Sequence, residues 1–309
     1  MLHKFKKPMI ALGLAGALFA AGCSSNDNNE ATNDNGANDS ATNYSEAVDY
    51  RIIGIEPGAG ISVTTEKALE EYDNLAGWDV ELSSTPGMLV ELEEAIKKEE
   101  PIIVTGWNPH FMFAKHPELK YLEDPQNVYG GEEGINTLTR VGLEEDHPEA
   151  FKLLSQFEWE VEDMEEIMYE AEETGEEVED VAKRWVEDNE DKVATWIDGV
   201  EEGTGDKIEL VSTPWDSERA SSGVVQEVMN QHGFDVTVTP VDVAIVFESL
   251  ANGDTDATVA AWLPATHKEF FDLHEDNLVD LGPNLMGAKI GLTVPDYMDI
   301  DSIEDLQAK

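Results

Sequence analysis

An internal repeat constrains the fold of this chain more than any other feature of its sequence. In residues 50–107, and again in residues 207–262, three apolar runs alternate with two helical patterns, and the third run ends at tryptophan. In both copies a Thr-Pro pair precedes the second helical pattern, at nearly the same distance from that tryptophan. Strands that alternate with helices in this order predict a mostly parallel sheet flanked by helices. Two copies predict an α/β protein with two lobes, each with its own sheet.

The two copies also set the expected domain boundaries. We assign residues 48–135 and 290–309 to lobe 1, and residues 136–289 to lobe 2. Lobe 2 includes a helical block at 144–199, in which apolar residues recur at helical spacing. Four tryptophans are predicted to pack in the core and not to contact a ligand: Trp78, Trp159, Trp185 and Trp196.

The amino-terminal residues are typical of an export signal. Lysines precede an apolar run that is too short to span a membrane, and we assign residues 1–22 to a signal peptide. Residues 23–47, rich in Asn, Asp, Ser and Thr, are predicted to form a flexible, polar and acidic tether. Cys23, the only cysteine, resembles the lipidation site of bacterial lipoproteins, although Ala20 stands where that pattern usually has Leu. The alternative is an ordinary cleaved signal with a chance cysteine.

The charge of the chain excludes some classes of partner. The sequence has 67 acidic and 19 basic residues, a formal charge of −48. Such a field repels nucleic acid, so no nucleic-acid partner is expected. The glutamate runs fall on helical patterns, and we interpret them as solvated faces suited to a saline exterior, where ions screen their repulsion. The sequence shows no phosphate-binding loop and no cluster of metal ligands, so we expect neither a cofactor nor a metal.

The three other tryptophans, Trp107, Trp215 and Trp262, are predicted to lie at strand ends. Ligands of α/β proteins bind outside the carboxyl ends of strands, so the three indoles meet in one cleft if the lobes face each other. An indole face attracts a cation that has no proton to donate, and three faces can contribute about 6 kcal/mol at about 2 kcal/mol each. Micromolar binding needs about 8 kcal/mol, so a second anchor is expected.

The turn at residues 57–61 is a candidate for that second anchor. Gly58 and Gly60 permit a tight turn, and the start of the next helix leaves backbone N–H groups that suit an anion. His267 can add a side-chain donor. A plain connection from a strand to a helix explains the turn equally well when it is considered alone. A ligand with a trimethylammonium group and a carboxylate would engage both anchors.

From about Asp49 to its carboxyl terminus, the chain resembles the substrate-binding lipoproteins of ABC-type glycine betaine importers, of the OpuAC type. Four stretches carry the resemblance: residues 53–61, Thr105-Gly106-Trp107, Trp215-Asp216-Ser217-Glu218 and Ala261-Trp262-Leu263-Pro264. The resemblance implies a periplasmic-binding-protein fold, in which two lobes close over a ligand in the cleft between them. Pro214 and Ala265 depart from the family pattern, and both can shift loops beside the site.

The resemblance also implies a role for each site residue. In that family three tryptophans surround the trimethylammonium group, and they correspond to Trp107, Trp215 and Trp262. Two backbone amides and a histidine hold the ligand carboxylate, and they correspond to Gly60, Ile61 and His267. The implied protein captures glycine betaine, and also proline betaine, as an osmoprotectant. It is lipid-anchored to the outer face of the cytoplasmic membrane and delivers its ligand to an ABC permease.

Other functions stay open at this level. Carnitine and choline share the quaternary ammonium group, but choline has no carboxylate and would leave the second anchor unused. A hydrolase of choline-type compounds would need acid–base pairs from four candidate side chains: Asp216, Glu218, His110 and His267. No nucleophile motif accompanies these side chains, and His110 is interpreted as a helix-surface residue. We therefore expect a binding protein and not an enzyme.

Overall fold

A computed structural model describes residues 42–309 of the chain. The predicted signal peptide, Cys23 and residues 24–41 of the predicted tether lie outside the described residues. Among the helices of residues 42–309, none has both the length and the apolar character needed to cross a membrane.

The strands follow the repeat closely. They are β1 (Arg51–Ile53), β2 (Asp79–Glu81), β3 (Val104–Asn108), β4 (Leu119–Tyr121), β5 (Glu132–Arg140), β6 (Lys207–Ser212), β7 (Asp235–Pro240), β8 (Ala257–Leu263) and β9 (Leu278–Pro295). The helices are α1 (Tyr44–Ala47), α2 (Gly60–Glu71), α3 (Thr85–Lys98), α4 (Phe111–Lys115), α5 (Leu143–Asp146), α6 (Pro148–Gln156), α7 (Val161–Thr174), α8 (Val178–Asp188), α9 (Glu190–Trp196), α10 (Asp216–Gln231), α11 (Val243–Asn252) and α12 (Lys268–Asp272).

The strands form one sheet in the order β2-β1-β3-β9-β5-β8-β6-β7, with β4 paired to β9. Strands β1, β2 and β3 are parallel to one another, and so are β6, β7 and β8. These two parallel units, flanked by helices, confirm the predicted α/β plan. Strands β5 and β9 run antiparallel to their neighbours and join the two units. The two predicted sheets are therefore connected as one hydrogen-bonded sheet.

Strand β9 explains this difference from the prediction. In the sequence, glycines and a proline interrupt the apolar pattern between residues 278–281 and 287–295. A single strand instead pairs with β5 along its first part and with β3 and β4 along its last part. Irregular register against β5 absorbs the interruption, and Gly282 and Gly287 adopt left-handed φ angles of 94° and 92°.

The predicted lobe boundaries fall inside strands and not in loops. The boundary after residue 135 lies within β5, and the boundary before residue 290 lies within β9. On this division, β5 and β9 are the strands that cross between the lobes. The exact division stays a prediction. Below, lobe 1 contains β1–β4 with α1–α4, and lobe 2 contains β6–β8 with α5–α12.

The helical block confirms the predicted packing tryptophans. Helices α5–α9 occupy residues 143–196, and the predicted stripe on α7 is buried. The rings of Trp185 and Trp196 are stacked with their centroids 6.3 Å apart, and Trp159 lies 6.0 Å from Trp185. Trp78 is also buried, and its indole N–H donates to the carbonyl of Gln307 at 2.8 Å. These four side chains hold the fold together away from the site.

The predicted tether extends too far towards the domain. Residues 44–47 form helix α1, which packs on the carboxyl-terminal segment. The Tyr44 hydroxyl accepts from the amide of Asp299 at 3.1 Å, and the buried Ser45 hydroxyl accepts from the amide of Gln307 at 2.8 Å. The polar composition gave no sign of these hydrogen bonds, because their partners lie at the opposite end of the chain.

Candidate ligand-binding site

One cavity lies between the lobes, and its 340 Å³ of empty space includes the open solvent at its mouth. All six residues proposed from the sequence line it: Gly60, Ile61, Trp107, Trp215, Trp262 and His267. Ile55, Ala59 and Ile290 add apolar wall. Glu218 and Thr266 also line it, and the sequence gave them no part in ligand binding. The predicted residues are thus brought together, and their role in binding stays a prediction.

Trp107 and Trp262 occupy equivalent places in the two repeats. Trp107 is in β3 opposite Ile290 of β9, and Trp262 is in β8 opposite Ile135 of β5. Both indoles are buried, at 6% and 3% exposure. The Trp107 ring makes an edge contact with His110, with centroids 4.3 Å apart. Each of these two tryptophans is therefore in a strand that pairs directly with β9 or β5, the strands that join the two parallel units.

Trp215 approaches the cavity from a helix start and not from a strand end. Strand β6 ends at Ser212, and Trp215 is the N-cap residue of α10. Its indole N–H donates to Oε2 of Glu56 at 3.1 Å, and Glu56 lies in the turn that follows β1. Four strands separate β1 from β6, which would place them roughly 24 Å apart in a flat sheet. The sheet therefore curls so that the carboxyl ends of the two parallel units face each other.

Glu218 supports the ring of Trp262 from within lobe 2. Its buried carboxylate accepts from the Trp262 indole N–H at 2.8 Å and from the Ser217 hydroxyl at 2.6 Å. Burial raises the pKa of Glu218 to about 7, with a contribution from the negative charge of Asp216, while the hydrogen bonds from Ser217 and Trp262 oppose the shift. The wall of the cavity that contains Trp262 thus also contains a carboxyl group whose pKa lies close to neutral.

The start of α2 offers hydrogen-bond donors to the cavity, in contrast to the carboxyl group of Glu218. Ala59 is the N-cap residue and makes no side-chain cap. Its carbonyl oxygen accepts a helical hydrogen bond from the amide of Val63 at 3.0 Å. The amides of Gly60 and Ile61 precede that bond, so they are free donors at the positive end of the helix. A Cβ atom on Gly60 would lie 2.7 Å from the carbonyl oxygen of Thr266 in lobe 2. Only glycine allows the lobes to approach this closely.

His267 stands beside Gly60 in a defined protonation state. Its Nδ1 accepts from the amide of Trp262 at 3.0 Å, so in the neutral ring the proton is on Nε2. Burial lowers the pKa of His267 to about 3, which keeps the ring neutral at physiological pH. The preceding turn is held by the buried Glu133, which accepts from the amides of Ala265 at 2.8 Å and Thr266 at 3.1 Å. His267 is therefore a fixed, uncharged hydrogen-bond donor.

The structure corrects the interpretation of His110 as a surface residue. His110 is 1% exposed and caps α4, with Nδ1 accepting from the amide of Met112 at 3.1 Å. Burial lowers its pKa to about 3. Of the other side chains considered for acid–base chemistry, Asp216 faces Arg219 at 3.5 Å, and Glu218 is engaged by Trp262. Within residues 42–309, no group of three or more potential ligands is arranged to hold a metal ion.

Three carboxylates beside the site, those of Glu56, Glu133 and Glu218, have no predicted part in the site. Glu56 lies in residues 53–61, one of the four stretches that carry the resemblance, and Glu218 is one of the four candidates for acid–base chemistry. The sequence does hold one signal for Glu218. Glu218 lies one helical turn after Trp215, and that spacing directs both side chains to the same side of α10. Nothing local pointed to Glu56, whose partner Trp215 lies 159 positions away along the chain.

Two parallel units joined by β5 and β9, with a cavity between them, are the architecture of the two-lobed binding proteins. The chain matches the family model of the substrate binding domain of ABC-type glycine betaine transport systems over residues 32–188 and 206–309. It is 46% identical over 274 residues to the glycine betaine/carnitine transport binding protein GbuC of Listeria monocytogenes, which covers 87% of this chain and 90% of that protein. The chain therefore belongs to this family, and the resemblance found in the sequence is confirmed.

Solved structures include relatives of the same kind. The lactococcal OpuAC protein, in a closed form with glycine betaine, is 44% identical over 49% of this chain and 59% of that chain, with a TM-score of 0.47. An ABC-transporter choline binding protein in complex with choline is 29% identical over 51% of this chain and 55% of that chain, with a TM-score of 0.45. Family membership rests on the sequence matches. As a member, the chain is an extracytoplasmic substrate-binding protein of an ABC importer.

Proposed function

We propose that this protein captures glycine betaine, and also proline betaine, and delivers it to an ABC permease. One observation carries the proposal: a single cavity combines three indole walls with an uncapped helix start and a neutral histidine. Trp107, Trp215 and Trp262 form an aromatic cage that binds the trimethylammonium group. The amides of Gly60 and Ile61, together with His267 Nε2, take the carboxylate. A zwitterion satisfies both ends without adding net charge to the site.

The energies of the two ends fit this division of labour. Three indoles over a desolvated cation contribute roughly 6 kcal/mol. Micromolar affinity requires about 8 kcal/mol, so the carboxylate contacts have to supply the difference. A hydrogen bond to a charged group contributes about 1.5–3 kcal/mol, so even one good contact at the carboxylate end is sufficient.

Calorimetry with a ligand series tests the two anchors separately. We expect glycine betaine and proline betaine to bind most tightly and choline, which has no carboxylate, to bind much more weakly. The name of the Listeria relative includes carnitine, so carnitine belongs in the series. The matched control is 3,3-dimethylbutanoate, which keeps the shape and carboxylate of glycine betaine but carries no positive charge. Equal affinity for choline would refute the carboxylate anchor, and equal affinity for 3,3-dimethylbutanoate would refute the cage.

The hydrolase alternative has a direct test. Purified protein is incubated with choline-type compounds and followed by NMR. We expect the compounds to persist unchanged while glycine betaine still binds. Turnover at a steady rate would replace the transport function with an enzymatic one.

We further propose that Cys23 carries the lipid that anchors the exported protein to the outer face of the cytoplasmic membrane. The small residues before Cys23 and the polar tether after it support this assignment. Radiolabelled palmitate should be incorporated into the wild-type protein in cells and not into Cys23→Ala. Incorporation into Cys23→Ala, or its absence from the wild-type protein, would show that Cys23 is not the anchor.

A further inference from the structure

Glu56 connects three segments of the chain through one carboxylate. Its Oε1 accepts from the amide of Thr85 at 2.9 Å, and its Oε2 accepts from the Thr85 hydroxyl at 2.9 Å. Thr85 begins α3, so these two bonds lie within lobe 1. The third bond, from the indole N–H of Trp215 to Oε2 at 3.1 Å, comes from lobe 2. The same carboxylate is thus fixed on one side of the cleft and engaged from the other.

This carboxylate is suited to a strong hydrogen bond. Burial alone would raise the pKa of Glu56, but hydrogen bonds from the Thr85 amide, its own amide, the Trp215 indole and the Thr85 hydroxyl hold it below its usual value. Glu56 is therefore ionised at neutral pH, and hydrogen bonds to ionised acceptors are about twice as strong as neutral ones.

The partner of Glu56 is also a wall of the cavity. The indole N–H that donates to Glu56 belongs to the ring that lines the site. Trp262 provides the contrast, because its indole donates to Glu218 within the same lobe, at 2.8 Å. Separation of the lobes would leave the Trp262 bond intact and break the Trp215 bond. An interaction that exists only in the closed form favours closure, whereas one present in both forms does not.

We propose that Glu56 is a closure latch: it fastens lobe 2 to lobe 1 through the Trp215 indole and so sets how long the ligand stays bound. The latch rests on the proposed function in one respect, namely that Trp215 contacts the ligand. As a positioning residue, Glu56 touches no ligand itself. It fixes the angle at which the Trp215 ring faces the cavity and makes that angle depend on closure.

Glu56→Gln is the decisive substitution. Glutamine has one acceptor oxygen, while the Thr85 amide and the Trp215 indole donate to different oxygens of Glu56. In either orientation of the glutamine side chain, its NH2 group faces either the Thr85 amide N–H or the Trp215 indole N–H. In stopped-flow tryptophan fluorescence with glycine betaine, we expect the dissociation rate to rise about tenfold and the association rate to change by less than about threefold. Small-angle scattering with saturating ligand should show a smaller closure than in the wild-type protein.

A double-mutant cycle separates a latch from general damage. Trp215→Phe keeps an aromatic face but removes the N–H donor. In the Trp215→Phe background, Glu56→Gln should raise the dissociation rate by less than about twofold, because the bond is already absent. Thr85→Val is the matched control, since it disturbs the same carboxylate from within lobe 1 and leaves the Trp215 bond in place. We expect it to change the dissociation rate by less than about threefold.

Three results would overturn the latch. One is a dissociation rate of Glu56→Gln equal to that of the wild-type protein. Another is a double variant whose rate equals the product of the two single effects. The third is an effect of Thr85→Val as large as that of Glu56→Gln. If calorimetry shows that the wild-type protein prefers carnitine or choline to glycine betaine, the rates are measured with that ligand, so an error in the proposed ligand is distinguishable from an error in the latch.

Discussion

The turns that follow β1 and β6 have the same place in the repeat and opposite chemistry. The turn after β1 ends in glycine and starts α2 with free amides, which suits a carboxylate. The turn after β6 ends in Trp215 and starts α10 with the buried Glu218 behind the cage, which suits a cation. Under the proposed function, the two turns serve the two ends of one ligand. The comparison teaches that the repeat explains the architecture, while recognition depends on where the copies differ.

The third strands of the repeats show a smaller version of the same contrast. Trp107 and Trp262 are in equivalent positions, and each is followed two residues later by a proline. Trp107 packs against the neutral His110, whereas Trp262 donates to the carboxyl group of Glu218. The two equivalent tryptophans therefore differ in their partners, a neutral ring for Trp107 and a carboxyl group for Trp262.

The largest expected effect comes from removing a cage wall. Trp262→Ala should abolish measurable binding of glycine betaine, because it removes an indole face and leaves Glu218 without its indole donor. Calorimetry measures the loss, and thermal unfolding of the ligand-free variant checks that it still folds. Trp262→Phe, which keeps a ring, should retain weak binding. Near-native affinity in Trp262→Ala would refute the cage.

The amide end should be almost as sensitive to a single methyl group. A Cβ atom at residue 60 would meet the Thr266 side chain at 2.5 Å and its carbonyl oxygen at 2.7 Å, so Gly60→Ala should prevent full closure. We expect affinity to fall by a factor of ten or more, which corresponds to a loss of about 1.4 kcal/mol or more in binding free energy. Gly58→Ala is the control: it has open space but a φ of 85°, so it should lower the melting temperature more than the affinity. Unchanged affinity in Gly60→Ala would show that the lobes do not meet there.

The carboxyl behind Trp262 should make binding depend on pH. A cation bound in the cage favours the ionised form of Glu218, so the ligand lowers a pKa that stands at about 7 in the free protein. Affinity should therefore rise as pH increases from 6 to 8, by roughly tenfold for each pKa unit that the ligand shifts. In Glu218→Gln the profile should be flat over that range. An equally steep rise in the variant would place the titrating group elsewhere.

The smallest effect is expected from an ion pair between helices of the two lobes. Lys115 of α4 pairs with Glu93 of α3 at 2.5 Å and reaches across to Glu172 of α7 at 2.6 Å. Partly exposed ion pairs contribute about 0–1 kcal/mol and are screened by salt. Lys115→Ala should weaken binding by less than about fivefold at low salt and not at all in 1 M salt, by the same principle. A loss that persists in 1 M salt would indicate that this pair, and not the turns, holds the lobes together.

Much of the fold was predictable because its signals are local. Strand and helix periods, the Thr-Pro pairs and the tryptophans that end β3 and β8 repeat within short stretches, and the structure contains them as expected. The continuous β9 was not predictable in the same way, because Gly282 and Gly287 interrupt its pattern and only pairing with β5 keeps it extended. The packing of α1 on the carboxyl-terminal segment also depends on a distant partner, because the Tyr44 hydroxyl accepts from the amide of Asp299.

The same limit applies to the candidate site. Aromatic and glycine residues at strand ends indicated six side chains or amides that share one cavity. Glu56, Glu133 and Glu218 did not stand out, because a chain with 67 acidic residues offers many equivalent glutamates. What distinguishes these three is hydrogen bonding to partners far along the chain: Trp215 for Glu56, Ala265 for Glu133 and Trp262 for Glu218.

A crystal structure of the protein with glycine betaine tests the central claim most directly. We predict that the trimethylammonium nitrogen lies within about 6 Å of the ring centroids of Trp107, Trp215 and Trp262. We expect the carboxylate on the amides of Gly60 and Ile61 and on His267 Nε2. A ligand bound in the reverse orientation, or outside the cavity between the two turns, would contradict this claim.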